Sequence, residues 1–169
     1  MRAWFWGTVA AYVVVWAYAA AVLPSRVPVH FGPLGDADRF ASRTEALVSL
    51  GVVGVGTALL FVLTDLLLAR GDMSMLNIPH KPWWSATAAR RDRARTLMRD
   101  DMHLFAAATM LLLILVQAST VLAAQADEPR LGWGFFVAFF AYLVFTGVWV
   151  VRMYRAYHPR RHPDLEQDT

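Results

Sequence analysis

The sequence contains no cysteine, which excludes disulfide bonds, thiolate metal sites and cysteine nucleophiles. Charge is also scarce, since only 17% of the residues are Asp, Glu, Lys or Arg, and these occur in blocks. Three common catalytic signatures are missing: an HExxH motif, a phosphate-binding loop and a Ser-His-Asp order. Hydrophobic residues are abundant: they make up 57% of the sequence, and the mean hydropathy is +0.40. Soluble domains are about 45–50% apolar, so the composition predicts an integral membrane protein and gives no support for an enzyme.

Four hydrophobic segments are long enough to cross about 30 Å of hydrocarbon at about 1.5 Å per residue. They cover residues 3–23, 46–68, 103–124 and 131–151. The sequence therefore predicts an all-α integral membrane fold, a four-transmembrane-helix bundle forming a single domain over residues 1–157. Residues 158–169 are expected to be a short polar tail that is disordered at its end.

The basic residues between these segments predict how the chain is oriented. Twelve lie on one side: Arg2, Arg70, Lys81, Arg90, Arg91, Arg93, Arg95, Arg99, Arg152, Arg155, Arg160 and Arg161. Four lie on the other side: Arg26, Arg39, Arg43 and Arg130. We therefore expect a multi-pass protein of the bacterial cytoplasmic membrane, with both termini in the cytoplasm and residues 23–45 outside. The net charge of +3 is then explained by anionic headgroups at the cytoplasmic face, without a nucleic-acid partner.

Few polar residues lie within the predicted spans. Apart from His103 at the interfacial start of the third span, Asp65 is the only acid or base there. We interpret it as a carboxylate that reaches headgroup water near Arg70, with a functional role as the alternative. Gly54 and Ala58 have the spacing that lets a helix approach closely, either the first span or a second copy of the chain. A polar cluster in the third span favours interhelical hydrogen bonds, and it consists of Gln117, Ser119 and Thr120.

The segment before the third span has a helical pattern from Ser85 onward. One side of this helix carries apolar residues: Ala94, Leu97, Met98 and Met102. Two interpretations remain open. The helix lies on anionic headgroups with Trp83 and Trp84 as interfacial anchors, or it is solvated and its arginines only set the orientation.

The connection over residues 23–45 is rich in prolines and glycines, which predicts a structured cap. Ser42 and Glu45 have the spacing of a capping box and predict that a helix starts here. His30, Asp36 and Asp38 are competent metal ligands but form an incomplete set, so a metal site is only an alternative to a structural role. In that structural role a carboxylate caps a turn and His30 bonds to backbone.

Two stretches resemble a known family. The first consists of Leu23-Pro24, Val27-Pro28, His30-Phe31, Gly35, Asp38, Phe40 and Arg43. It is similar to the signature of a bacterial membrane module of unknown function, also found at the front of SdpI-type immunity proteins. The second stretch, with Asn77, Pro79 and Trp84, is similar to the Asn-x-Pro-Asn-x-x-x-Trp pattern of that family. His80 departs from it by standing where asparagine is usual, and Gly32 stands where a polar residue often follows His-Phe.

The resemblance implies immunity or signal reception, in which residues 23–45 bind a peptide or a membrane partner. The expected binding residues are His30, Phe31, Gly35, Asp36, Asp38 and Arg39, with Asn77, Pro79 and Trp84 in the inner loop. Two alternatives remain: an accessory or structural subunit of a larger membrane complex such as a transporter, and a metal-dependent enzyme at the outer surface. No cofactor is expected.

Overall fold

The structure is a computed structural model that describes residues 1–73 and 76–165. Its elements in chain order are α1 (Arg2–Val22), β1 (Arg26–Phe31), β2 (Ala37–Ser42), α2 (Arg43–Arg70), α3 (Lys81–Ser85), α4 (Ala88–Ala124) and α5 (Trp133–Ala156), followed by 3₁₀ turns at Pro159–Arg161 and Pro163–Leu165. Helices α1, α2, α4 and α5 are each long and apolar enough to cross a membrane. The prediction of four long apolar helices is thus confirmed. The prediction that the fold is entirely helical is wrong, because Arg26–Phe31 and Ala37–Ser42 form two β-strands.

Helix α4 is the element against which the other helices pack. Its 37 residues make it about 55 Å long, well beyond about 30 Å of hydrocarbon. It begins at Ala88 because the Thr87 hydroxyl accepts the Arg90 amide at 3.3 Å. The helical pattern predicted from Ser85 onward corresponds to the first part of α4, which continues unbroken into the third span. Its apolar side packs against protein and lies neither on headgroups nor in water. Contact of its arginines with headgroups stays a prediction.

The four long helices alternate in direction, so the molecule has two ends. The hairpin end contains β1, β2 and the connection over residues 125–132. The opposite end contains α3, the start of α4 and the 3₁₀ turns. Helix α2 starts at the hairpin end, where the Ser42 hydroxyl accepts the Glu45 amide at 3.2 Å, as the capping pattern predicted.

Helices α1 and α2 are joined through aromatic side chains of α1. The Tyr12 hydroxyl donates to the carbonyl of Leu50 at 2.6 Å, and the Trp16 indole donates to the carbonyl of Leu47 at 3.0 Å. A Cβ on Gly54 would overlap the Tyr12 ring, so only glycine at position 54 lets the Tyr12 hydroxyl reach the carbonyl of Leu50. The close-packing face predicted on α2 is confirmed with the first span as its partner.

The opposite end has its own apolar core around Trp84. This side chain is fully buried, and its indole donates to the carbonyl of Tyr157 at 3.0 Å. Burial raises the pKa of the Tyr157 phenol above its usual range. The remaining buried members of the core are Leu68, Met73, Leu76, Ile78 and Ala94. The interfacial role predicted for Trp84 is therefore wrong, because protein surrounds it.

Residues 158–165 pack against this core. Arg90 is buried, lies over the Trp83 ring at 4.3 Å, and donates from Nε and Nη2 to the carbonyl of Leu165 at 3.1 and 2.9 Å. The His162 ring contacts the carbonyl of Ala156 at 2.9 Å. The disorder predicted for the end of the tail concerns residues 166–169, which lie outside the described residues.

The Tyr12 contact predicts an asymmetry between two glycines of α2. Gly54→Ala should destabilise the fold by about 1–3 kcal/mol, because the new methyl group overlaps the Tyr12 ring. Gly56→Ala is the matched control, since nothing lies within 4 Å of a Cβ there. Denaturant unfolding of the two variants in detergent micelles measures the difference. Equal stability would show that Tyr12 does not sit against α2.

Candidate functional site

Strands β1 and β2 form an antiparallel hairpin at one end of the bundle. Its turn has Pro33 at the second position and Gly35 at the fourth, and the Gly35 amide donates to the carbonyl of Gly32 at 2.9 Å. Gly35 has a φ of +89°, which favours glycine, and a Cβ there would lie 3.1 Å from the Phe136 ring. The reversal of the chain between the two strands therefore requires glycine at position 35.

The sequence carried a hairpin signal that the prediction of a turn-rich cap missed. Two runs of six residues flank a short connection that contains glycine. Pro28 within the first run argues against a strand, since proline cannot donate to a neighbour. A two-stranded sheet has only edge strands, and the register shifts directly after Pro28, so the missing donor is accommodated.

The connection over residues 125–132 is bonded to the hairpin. The Ala37 amide donates to the carbonyl of Pro129 at 3.0 Å, and the Leu131 amide donates to the carbonyl of Gly35 at 2.8 Å. Between these bonds, the Arg130 guanidinium lies 4.0 Å from the Asp36 carboxylate. The turn of the hairpin is therefore held against the start of α5.

The three metal-ligand candidates do not converge. Nδ1 of His30 lies 2.5 Å from Oδ1 of Asp38, so the expectation that His30 bonds to backbone is wrong. Asp36 instead faces Arg130. Within residues 1–73 and 76–165 there is no group of three or more His, Asp or Glu side chains that could hold a metal ion.

An apolar cleft opens beside the turn, and we call it the hairpin cleft. It encloses about 410 Å³. Its rim carries two large apolar side chains that the protein leaves uncovered, Leu34 at 80% and Trp133 at 81% exposure. The cleft is lined by Pro33, Leu34, Arg130, Leu131, Gly132, Trp133 and Phe136. Sequence reasoning did not select Leu34 or Trp133, because nothing in the sequence shows that residue 34 meets the start of α5.

The other predicted binding residues fall into two separated groups. Arg39 is exposed on β2, opposite His30 in the register, and Phe31 is half-buried at the end of β1. The second group lies at the opposite end, where Asn77 is exposed, Pro79 is half-buried and Trp84 is inaccessible. The two groups therefore cannot act on one ligand, and Trp84 holds the segment around α3 in place.

Charged side chains join α4 to its neighbours where α4 leaves the apolar region. Arg99 donates to both carboxylate oxygens of Asp65, at 2.7 and 3.0 Å, and His103 lies 3.5 Å from the same carboxylate. Arg152 of α5 lies 3.6 Å from Asp101. We call these five residues the polar belt. The expectation that Asp65 reaches water near Arg70 is wrong, although the spacing of Arg99 and His103 on one helix face was visible in the sequence.

The polar cluster of the third span does not make the interhelical bonds that were expected. The Thr120 hydroxyl donates to the carbonyl of Val116 in its own helix at 3.0 Å. Gln117 is fully buried, and neither of its side-chain polar atoms meets a partner among the described residues.

Comparison with known proteins gives two partial matches. The family model described as Domain of unknown function (DUF1648), a domain found in SdpI-like proteins, matches residues 7–55. These residues form most of α1, the hairpin and the first half of α2. An uncharacterized protein of Archaeoglobus fulgidus is 37% identical over 59 residues, which is 33% of this chain and 32% of that protein. No solved structure matches. With the four apolar helices, these matches indicate a small multi-pass membrane protein.

The polar belt predicts coupling between two positions. Arg99→Gln should destabilise the protein by about 1–3 kcal/mol, because it leaves the Asp65 carboxylate without its bidentate partner. Adding Asp65→Asn should restore part of this loss, because it removes the uncompensated charge. A double-mutant cycle in detergent unfolding measures the coupling. Additive losses would contradict the pairing.

Proposed function

We propose that this chain is a protein of the bacterial cytoplasmic membrane whose hairpin end faces outward and binds a peptide or another membrane protein, as in immunity or signal reception. The observation that carries the proposal is the hairpin cleft, with Leu34 and Trp133 exposed around it. Exposed tryptophan beside a pocket is typical of residues that dominate binding energy. The backbone hydrogen bonds of Gly35 and Ala37 fix the shape of the hairpin cleft before a ligand binds. This lowers the entropic cost of ordering the binding site on association.

The basic residues support this orientation. Only Arg26, Arg39, Arg43 and Arg130 lie at the hairpin end, and twelve basic residues lie toward the opposite end. Loops that stay in the cytoplasm carry the excess of Lys and Arg. The match over residues 7–55 includes the whole hairpin. The resemblance to SdpI-like proteins favours a secreted peptide as the ligand.

An accessory role in a larger membrane complex is the second candidate, and α5 favours it. Trp149 is the one buried residue of this 24-residue helix, so most of its surface is open to lipid or to another protein. The size of the protein purified in mild detergent separates the two candidates. A stable larger assembly with a transporter favours the accessory role, and a monomer favours the receptor-like role.

The proposed outward orientation of the hairpin end predicts which single cysteines can be labelled from outside the cell. The labelling is easy to interpret because the sequence contains no cysteine of its own. Leu34→Cys at the hairpin tip should react with a membrane-impermeant maleimide in intact cells. Asn77→Cys, which is exposed at the opposite end, should react only after permeabilisation. The reverse pattern would place the hairpin in the cytoplasm and contradict the proposed outward recognition.

The hairpin cleft predicts which side chains are needed for resistance to a toxic peptide. A deletion strain should be more sensitive to the peptides encoded beside the gene, and wild-type protein should restore resistance. Leu34→Ala with Trp133→Ala should fail to restore it, because the exposed apolar rim is lost. The control combines Leu60→Ala with Trp4→Ala, which are 62% and 76% exposed but lie away from the cleft. Unchanged sensitivity on deletion, or equal rescue by both variants, would sink the proposal.

A further inference from the structure

A second cleft lies at the opposite end, where the chain leaves α5. It is a shallow depression, widely open to its surroundings, with space for about 550 Å³. Three guanidinium groups, two imidazoles and one phenol line it, and we call it the arginine cleft. Its residues are His80, Tyr154, Arg155, His158, Arg160 and Arg161.

The backbone around the arginine cleft is held by specific contacts. Nδ1 of His158 accepts the Arg160 amide at 3.3 Å and caps the turn Pro159–Arg161. A neutral His158 ring with Nδ1 as acceptor carries its hydrogen on Nε2, which leaves a donor for a ligand. The His80 ring packs edge-on against His158, with centroids 4.8 Å apart. The two imidazoles therefore meet although they are 78 positions apart in the sequence.

The backbone of His80 is itself unusual. It has a φ of +57° and a ψ of +31°, the left-handed conformation, and it is the only described residue other than glycine with a positive φ. This conformation costs about 1–2 kcal/mol for most L-residues and is least costly for Gly, Asn and Asp. Such conformations concentrate at ligand-binding positions. Here the conformation holds the imidazole beside the cleft.

The arginines of the cleft differ from those of α4. On α4, Arg90 donates to the carbonyl of Leu165, Arg95 to the carbonyl of Gly71, and Arg99 to the Asp65 carboxylate. In the part of the chain that the structure describes, no carboxylate lies within ion-pairing distance of the three cleft guanidiniums. Those guanidiniums belong to Arg155, Arg160 and Arg161. Several like charges gathered without a counter-charge from the described carboxylates favour binding of an anion.

We propose that the arginine cleft binds a phosphate group, and specifically the phosphate of an anionic phospholipid headgroup. Guanidinium groups bind phosphate oxygens through paired N–H donors, and Nε2 of His158 adds a further donor. The lipid source follows from position. Tyr154 and Arg155 lie on the last turn of α5, directly after exposed apolar residues such as Val148 and Val151. This is the level at which a spanning helix meets headgroups. The inference does not depend on which side of the membrane this end faces.

The test uses the full chain purified in detergent and native mass spectrometry with added lipid. Wild-type protein should bind phosphatidylglycerol and phosphatidic acid more tightly than zwitterionic phosphatidylcholine. The cleft variant combines Arg155→Gln, Arg160→Gln and Arg161→Gln, and its affinity for the anionic lipids should fall at least about tenfold, since one charge-assisted bond accounts for about that factor. The control combines Arg2→Gln, Arg70→Gln and Arg93→Gln, which removes the same charge from exposed positions and should leave the affinity within about twofold.

A second variant tests the site without changing its arginines. His80→Asn tolerates the left-handed backbone and removes one imidazole, so it should fold normally and bind the anionic lipids a few-fold more weakly. Thermal unfolding followed by circular dichroism checks the fold of each variant.

A parallel arm identifies the source of the phosphate group. Inorganic phosphate and pyrophosphate are titrated against wild-type protein, the cleft variant and the control variant in thermal-shift assays. If phosphate or pyrophosphate stabilises the wild-type protein but not the cleft variant, and no lipid preference is seen, the site binds a soluble phosphate compound. That result would overturn the lipid assignment. Equal behaviour of the cleft variant and the control variant in both arms would overturn the proposal as a whole.

Discussion

One constraint organises this molecule: α4 is a continuous helix about 55 Å long, and the other helices pack along it. Hydrocarbon accounts for only about 30 Å of that length. The remaining turns must therefore find partners outside the apolar region. They do so by burying Ala94 against Trp84 and by extending Arg90 to the carbonyl of Leu165. The core of the opposite end exists because α4 reaches it.

Polar groups inside an apolar medium need partners in the protein, and this requirement shapes the rest of the bundle. Tyr12 and Trp16 satisfy their hydrogens with carbonyls of α2, which glycine leaves open. In the polar belt, the Asp65 carboxylate of α2 pairs with the Arg99 guanidinium of α4 and not with a basic residue of its own helix. Gln117 is the exception, since it is buried without a partner among the described residues.

The two ends of the bundle offer different chemistry. The hairpin cleft is apolar, and its main contributors come from the turn and from the start of α5. The arginine cleft is basic and open, and it is built from the end of α5, the turn Pro159–Arg161 with its cap His158, and the residue before α3. Because α5 contributes to both, this weakly buried helix connects the proposed partner-binding surface to the proposed headgroup site.

Much of the architecture was determined by local sequence. The lengths of apolar runs predict four helices, the spacing of Ser42 and Glu45 predicts the start of α2, and the glycines of α2 predict its packing face. These features depend on neighbours within a few residues, so a single sequence reveals them. The tertiary structure alone decided which distant groups meet. It placed Leu34 beside Trp133, His80 against His158, and Arg99 on Asp65. Such contacts depend on how helices align side by side, and that alignment is set by packing, which periodicity does not encode.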